Sequence, residues 1–255
     1  VDLELSGRAF LITGGTDGLG LALAERLVRE EARVAVCGRD GDRLRRTQER
    51  LGGDALCFEA DVTDPTQLDE FLAATLGRFG RLDGVVNNAG RSAGTAVAAS
   101  DDDGWRDDFD LKVIAALHLT RHSLAELSRN RGSVLNVLAT LARTPPANST
   151  PSSATRAAGL ALTKALANEV GAQGVRVNAI LIGLIESGQW VRRAASSGVS
   201  AEEFYASAAK TAPIPLGRYG RADEFADLAS FLLSSRASYI TGVGVALDGG
   251  LSPVI

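Results

Sequence analysis

The stretch Thr13-Gly14-Gly15-Thr16-Asp17-Gly18-Leu19-Gly20 constrains this chain more than any other, because of what stands on either side of it. Residues 8–13 (RAFLIT) form a compact apolar run of the β type. After the glycines, Leu19, Leu23, Leu27 and Val28 recur at helical spacing, with Ala22 and Ala24 as good helix formers. Glycines in such a turn admit positive φ and close backbone approach, and the helix N-terminus offers unpaired N–H groups and a partial positive charge. A pyrophosphate fits that environment. The spacing is not Gly-x-Gly-x-x-Gly, so the generic dinucleotide pattern is only half matched. On these residues alone, a tight turn without a ligand stays open.

The alternation of short apolar runs with helical patterns continues along the chain. Further strands read at 33–37, 55–58, 82–86, 133–138, 175–180 and 244–247. Helices read at about 40–51, 103–128, 152–173 and 222–233, and Asp64-Pro65 opens another, with Asp as cap and Pro at the first helical position. Strands separated by helical crossovers favour a parallel sheet covered by helices on both faces. Right-handed crossovers make a doubly wound, Rossmann-type α/β fold of about seven strands the expected outcome. No linker-like break or internal repeat divides residues 1–255, so one domain is expected.

Two segments interrupt the rhythm. Asp101, Asp102 and Asp103 head an acidic stretch; a cation site is one reading, and carboxylates entering a helix N-terminus are the commoner one. Residues 186–212 show little strand pattern and carry Trp190, Phe204 and Tyr205, which reads as a helical insertion, either a lid over a ligand or a surface hairpin.

Composition narrows the function classes. The balance of 27 Lys+Arg against 31 Asp+Glu leaves a net charge of −4, which argues against an electrostatic grip on nucleic acid or anionic lipid. The longest apolar runs reach about half of the roughly 18 residues that a bilayer span needs. Two cysteines, Cys37 and Cys57, sit in strand-like runs and are too few for a disulfide framework. No basic stretch followed by an apolar run opens the sequence, so no signal peptide and a cytoplasmic setting are expected.

Several motifs in fixed order then carry a resemblance along essentially the whole chain. Thr13-Gly14-x-x-x-Gly18-x-Gly20, Asp61-Val62, Asn87-Asn88-Ala89-Gly90, Arg176-Val177-Asn178-Ala179 and Leu247-Asp248-Gly249-Gly250 resemble the short-chain dehydrogenase/reductase family. The resemblance implies a seven-stranded Rossmann-type sheet, a bound nicotinamide dinucleotide, a small-molecule substrate and a homodimer or homotetramer. It places the cofactor against Gly14, Thr16, Asp17, Gly18, Leu19, Gly20, Asp61, Val62, Asn88, Ala89, Gly90 and Arg156. Gly183, Ile185 and Ser187 follow on the other side, where Ile182-Gly183 replaces the family's Pro-Gly. NAD-using members carry an acidic residue at the end of the second strand. Here Gly38 stands there, followed by Arg39, which favours NADP(H), since an arginine pairs with a 2′-phosphate. Asp17 occupies a loop position where NADP-using members often place a basic residue, so NAD(H) stays open.

At the catalytic positions the resemblance breaks. The family's Asn, Ser, Tyr and Lys fall on Lys112, Ala139, Ser152 and Arg156. A phenol titrates near 10, whereas the hydroxyl of Ser152 is a much weaker acid on a shorter side chain. Arg156 keeps a positive charge that can hydrogen-bond ribose but will not relay protons. Only Lys112 gains acid–base capacity, as a general acid or as a clamp on a developing oxyanion. The competing reading is a structural lysine paired with Asp108 or Asp110, or filling a helix kink. Thr140, Thr144, Ser149 and Thr150 surround the altered positions and offer hydroxyls to a substrate. His118 and His122, four apart, have metal-ligand spacing, but the sequence shows no third ligand near them; the resemblance implies that their helix packs at a subunit interface, so buried or interfacial histidines are the expected reading and no metal is expected. The leading expectation is an atypical oxidoreductase moving hydride between NADP(H) and an unknown carbonyl or alcohol. A catalytically silent dinucleotide-binding subunit, partnered with an active relative, or a non-redox lyase or isomerase are the rivals.

Overall fold

Near-continuous apolar runs, whose successive side chains point to opposite sides, produce a sheet with both faces buried. In the computed structural model, which describes residues 2–186, 198–200, 202–205, 207 and 212–254, seven such runs pair side by side and all in parallel. They are β1 (Ala9–Thr13), β2 (Arg33–Gly38), β3 (Leu56–Glu59), β4 (Gly84–Asn87), β5 (Ser133–Ala139), β6 (Arg176–Ile182) and β7 (Gly244–Leu247), in the order β3-β2-β1-β4-β5-β6-β7. Ile12 of β1 stands opposite Val36 on one side and Val86 on the other. Between them run α1 (Gly18–Arg29), α2 (Gly41–Leu51), α3 (Pro65–Phe79), α4 (Asp102–Phe109), α5 (Ala115–Asn130), α6 (Ser152–Val170) and α7 (Ala222–Leu233).

Phe10 and Ile12 of β1 point to one face, where Leu23 and Leu27 of α1 and Phe225 and Ala229 of α7 close the core. Ala9 and Leu11 point to the other, beneath Phe71 of α3, Leu119 of α5 and Val170 of α6. The caps follow the sequence. Asp17 accepts from Gly18 N at the start of α1, Asp40 from Arg43 N at α2 and Asp64 from Thr66 N at α3, each such cap contributing about 1 kcal/mol. Asp101 caps α4, with Asp102 and Asp103 in its first turn, so the acidic run opens a helix.

The single helix expected over 103–128 is instead two. Between α4 and α5 the hydrogen bonding slips to a π-turn at Asp110–Ile114, which adds a residue to one turn and re-aims the side chains within it. The helix expected over 152–173 ends as α6 at Val170 and finishes in a tight turn at Gly171–Gln173. Cys37 is buried, but Cys57 on the outer strand β3 is only partly so. Most of the insertion expected over 186–212 lies outside the described residues, as do Trp190 and Ser187; within it, Tyr205 packs its ring 5.3 Å from that of Tyr219. No helix among the described residues is long and apolar enough to cross a membrane.

The topology fixes where a ligand can sit. The chain runs from β1 outward to β3, then returns to lay β4 on the opposite side of β1. At that reversal the strand ends diverge, and the crevice outside their carboxyl ends is where open α/β sheets take ligands.

Candidate active site

Two glycines shape the turn over that crevice. Gly14 holds φ at +65°, and a Cβ on it would lie 3.0 Å from Ala89 Cα. A Cβ on Gly20 would lie 2.4 Å from the Gly14 carbonyl oxygen, so α1 can start this close to β1 only with hydrogen there. Gly20 therefore acts through backbone packing and does not line the cleft, unlike Gly14, Thr16, Asp17, Gly18 and Leu19. Thr13 at the end of β1 locks the turn to β4: its Oγ accepts from the backbone N–H groups of Asn88 and Ala89, both at 3.0 Å. Asn88 Nδ2 donates back to the carbonyls of Thr13 and Gly14, each at 2.9 Å. Sequence reasoning passed over this role of Thr13, which shows only when β1 and β4 lie side by side.

The cleft spans ≈ 1250 Å³ and brings together most of the residues expected at the cofactor and catalytic positions. Arg39, Asp61, Val62, Asn88, Ala89, Gly90, Ala139, Ser152, Arg156, Gly183 and Ile185 all line it. Asp61 Oδ1 accepts from the Thr63 amide and hydroxyl at 2.9 and 2.7 Å. Burial pushes the acidity of Asp61 one way, and those bonds together with the Arg39 charge outweigh it, holding the carboxyl below its ordinary range. Arg39 contacts Asp61 at 3.4 Å and is largely exposed. A second guanidinium, Arg43 on the first turn of α2, faces the same end of the cleft between Asp17 at 3.7 Å and Asp40 at 3.4 Å. Arg43 was not among the expected residues. The signal for it was the Asp40 cap, which fixes the phase of the first turn of α2 and so the side on which Arg43 emerges.

The floor of the cleft is built around a buried ion pair. The π-turn carries Lys112 inward, with 3% of its side chain exposed, against Asp108, with none. Lys112 Nζ lies 2.6 Å from Asp108 Oδ1 and 2.8 Å from Oδ2, with hydrogen-bond geometry at Oδ2 and an ionic contact at Oδ1. The same ammonium donates to Ser152 Oγ at 2.8 Å. Thr155, one turn along α6, donates its hydroxyl to Asp108 Oδ2 at 2.7 Å and so fixes the carboxylate from the far side. Burial is the main force lowering the pKa of Lys112, the neighbouring Arg156 charge adds to it, and Asp108 opposes both, leaving the amine at about 8. Arg156 donates to the Val137 carbonyl at 2.9 Å, and desolvation lowers its own pKa. It remains a fixed cation that discourages a second charge beside it.

Lys112 does not itself line the open cleft; it lies behind Ser152, beside a small cavity of ≈ 20 Å³ shared with Thr13, Asn87 and Asn136. The structural pairing expected for Lys112 is present, with Asp108 as the partner across the π-turn, and the ammonium also touches Ser152, which lines the cleft. Asp110 lines the cleft but does not take the lysine. Of the four hydroxyl residues expected near the site, only Thr140 lines the cleft. Thr144 is tied to the Thr140 carbonyl, Ser149 to the Pro146 carbonyl and Thr150 to the Thr95 carbonyl. Thr155 went unnoticed in the sequence because a threonine facing inward from a helix is ordinary packing until a carboxylate is found opposite it.

Away from the cleft, the structure supplies the partner that the sequence did not show for the histidine pair. Asp69 of α3, 49 and 53 positions away, meets His118 and His122 of α5.

A family model described as enoyl-(acyl carrier protein) reductase matches residues 14–252. The granaticin polyketide synthase putative ketoacyl reductase 1 of Streptomyces violaceoruber is 35% identical over 251 residues, covering 94% of this chain and 92% of that protein. Among solved structures, the NADPH-bound short chain oxidoreductase from Pseudomonas aeruginosa PAO1, containing an atypical catalytic center, superposes with a TM-score of 0.93 at 36% identity over 98% of this chain and 99% of that one. The L-sorbose reductase from Gluconobacter frateurii, complexed with NADPH and L-sorbose, gives 0.92 at 30% identity over 100% of both chains.

Proposed function

The chain belongs to the short-chain dehydrogenase/reductase family, and from that premise we propose that it is an NADP(H)-dependent reductase acting on the carbonyl group of a small molecule. The observation that carries the reading is the chain of contacts Asp108–Lys112–Ser152 ending in the cleft. The residues present also fit the dinucleotide. The glycine turn is a cradle that side chains would fill, and two guanidinia, Arg39 and Arg43, stand at the end of the cleft beyond β2, where a 2′-phosphate finds bidentate donors. The NADPH-bound structures of the Pseudomonas and Gluconobacter proteins support NADP(H) over NAD(H).

Bound in this cleft, a reduced nicotinamide would supply the hydride for the carbonyl carbon of a substrate. The protein's part is the proton. Ser152 is too weak an acid to give one up alone, but its Oγ accepts from an ammonium 2.8 Å away. It can release its proton to the developing alkoxide while taking one from Lys112, so no free alkoxide forms on the serine. Lys112 ends as a neutral amine and is recharged from solvent. With its pKa at about 8, it is charged at neutral pH yet gives up its proton far more readily than an ordinary lysine, as a general acid requires. Asp108, held by Thr155, keeps Nζ aimed at Ser152. Arg156, anchored to Val137, supplies a fixed positive charge beside Gly90, suited to the ribose and to the oxygen gaining charge.

The test is NADPH binding followed by NADPH oxidation over a panel of aldehydes, ketones and β-keto thioesters. Binding with turnover that Lys112→Met abolishes supports the reading. Binding with no turnover on any carbonyl overturns it in favour of a silent dinucleotide-binding subunit.

A further inference from the structure

Outside the cleft, among the described residues, one group of side chains has the composition and geometry of a metal centre. His118 and His122 stand one turn apart on α5, so their rings share a face. Their centroids are 4.0 Å apart at 63°. Asp69, on the neighbouring helix α3, places a single oxygen, Oδ1, 2.9 Å from His118 Nε2 and 2.6 Å from His122 Nδ1. The three donor atoms all lie within 4.8 Å of one another. We propose that Asp69, His118 and His122 form a binding site for a divalent first-row transition metal of the zinc class, clamping α3 to α5.

The donor set matches that class. Two imidazoles and one carboxylate suit zinc, nickel or copper, whereas magnesium and calcium prefer all-oxygen shells. The spacing is also close. With metal–ligand bonds of about 2.0–2.2 Å in a tetrahedral arrangement, neighbouring donors sit roughly 3.3 Å apart; the two Asp–His pairs, at 2.9 and 2.6 Å, open slightly to reach that spacing, and the imidazole nitrogens start within 4.8 Å of each other. The side chains have room to do so: half of Asp69 and over a third of His122 are exposed, while His118 is mostly covered. That gradient leaves solvent-facing positions for water on the metal. A cation between the two imidazoles and the carboxylate oxygen would replace both contacts at once. None of the three residues lines the cleft, so the proposal stands apart from the reductase reading.

The experiment is calorimetric titration of the full chain, without a polyhistidine tag, with zinc chloride alone. The expected result is one zinc per chain with micromolar affinity, and no binding of magnesium chloride under the same conditions. Asp69→Asn, His118→Gln and His122→Gln should each weaken zinc binding at least tenfold, since even outer-shell changes at metal sites cost about 10–100-fold. NADPH affinity should stay unchanged in all three, which also shows that the variants are folded. A visible spectrum of the cobalt-loaded wild type adds a readout that needs no variant: bands of nitrogen and oxygen ligation are expected. Absence of zinc binding up to millimolar metal, zinc affinity unaltered in the three variants, or a cobalt spectrum dominated by sulfur charge transfer from Cys37 or Cys57 would each overturn the proposal.

Discussion

The rim and the floor of the cleft are built on opposite principles. At the rim, around Gly14, Asn88, Asp61 and Arg39, the binding elements are backbone groups and exposed side chains. Thr13 and Asn88 zip β1 to β4 through five hydrogen bonds, and Arg39 stands largely in solvent and Arg43 partly so, lightly held by Asp61, Asp17 and Asp40. At the floor, the groups are buried, charged and mutually dependent: Lys112, Asp108, Ser152 and Thr155 form a closed set in which every member touches another. A ligand site made from backbone tolerates exchange of individual side chains, because no single one carries it. A buried ion pair does not, because removing one partner strands the other's charge. Substitutions at the rim should therefore act one at a time, whereas a substitution at the floor should act on the whole set.

The largest effect should come from breaking the floor while the rim is left whole. Lys112→Met removes the proton source but keeps much of the side-chain volume. Carbonyl reduction should fall by about 10²–10⁴-fold, the usual worth of a positioned acid, with NADPH affinity within twofold of wild type. The pH profile sharpens the point. Lys112 donates only when protonated, so the wild-type reduction rate should be level below its pKa of about 8 and fall about tenfold per unit above it. In Lys112→Met whatever rate remains should lack that limb. An unchanged alkaline limb in the variant would assign it to another group. Asp108→Asn attacks the same set from behind. It leaves a buried ammonium without its counter-charge, at a cost of about 3–5 kcal/mol in unfolding free energy by denaturant titration. It also removes the one charge that raises the Lys112 pKa, so the alkaline limb should move to lower pH.

The same contrast explains what was legible in the sequence. The sheet, its parallel sense and the rim were readable because strands announce themselves locally through apolar runs, and the glycine turn and Asn87-Asn88-Ala89-Gly90 are contiguous words. The Asp64 cap was readable for the same reason. The floor was only half readable. Lys112 and Ser152 are 40 positions apart, and the π-turn that swings Lys112 inward leaves no mark in a periodicity already compatible with one long helix. Asp108 and Asp110 were both readable as partners of Lys112, but nothing local decided between them, and the first members of the same acidic stretch, Asp101 to Asp103, simply open α4. Asp69 escaped notice entirely, since only packing of α3 on α5 brings it to the histidines.

Breaking the rim should cost less, and selectively. Arg39→Ala together with Arg43→Ala removes both guanidinia from the phosphate end of the cleft. Hydrogen bonds to charged groups are worth about 1.5–3 kcal/mol, so NADPH affinity should drop roughly 10–100-fold while NADH affinity is unchanged. Equal losses for both dinucleotides would mean that the arginines hold the turn and not the 2′-phosphate. The smallest and most discriminating change is at Asp17, which plays two parts at once. Its Oδ1 caps α1 through the Gly18 amide at 2.8 Å, and its Oδ2 lies 3.7 Å from Arg43, holding a charge of the wrong sign beside the expected phosphate. Asparagine caps a helix about as well as aspartate, so Asp17→Asn keeps the first part and deletes the second. The surface contact is worth at most about 1 kcal/mol, which sets the scale: NADPH affinity should rise by up to about fivefold, with NADH affinity and the unfolding midpoint unmoved. A fall in NADPH affinity instead would show that Asp17 orients Arg43 toward the phosphate and does not compete with it.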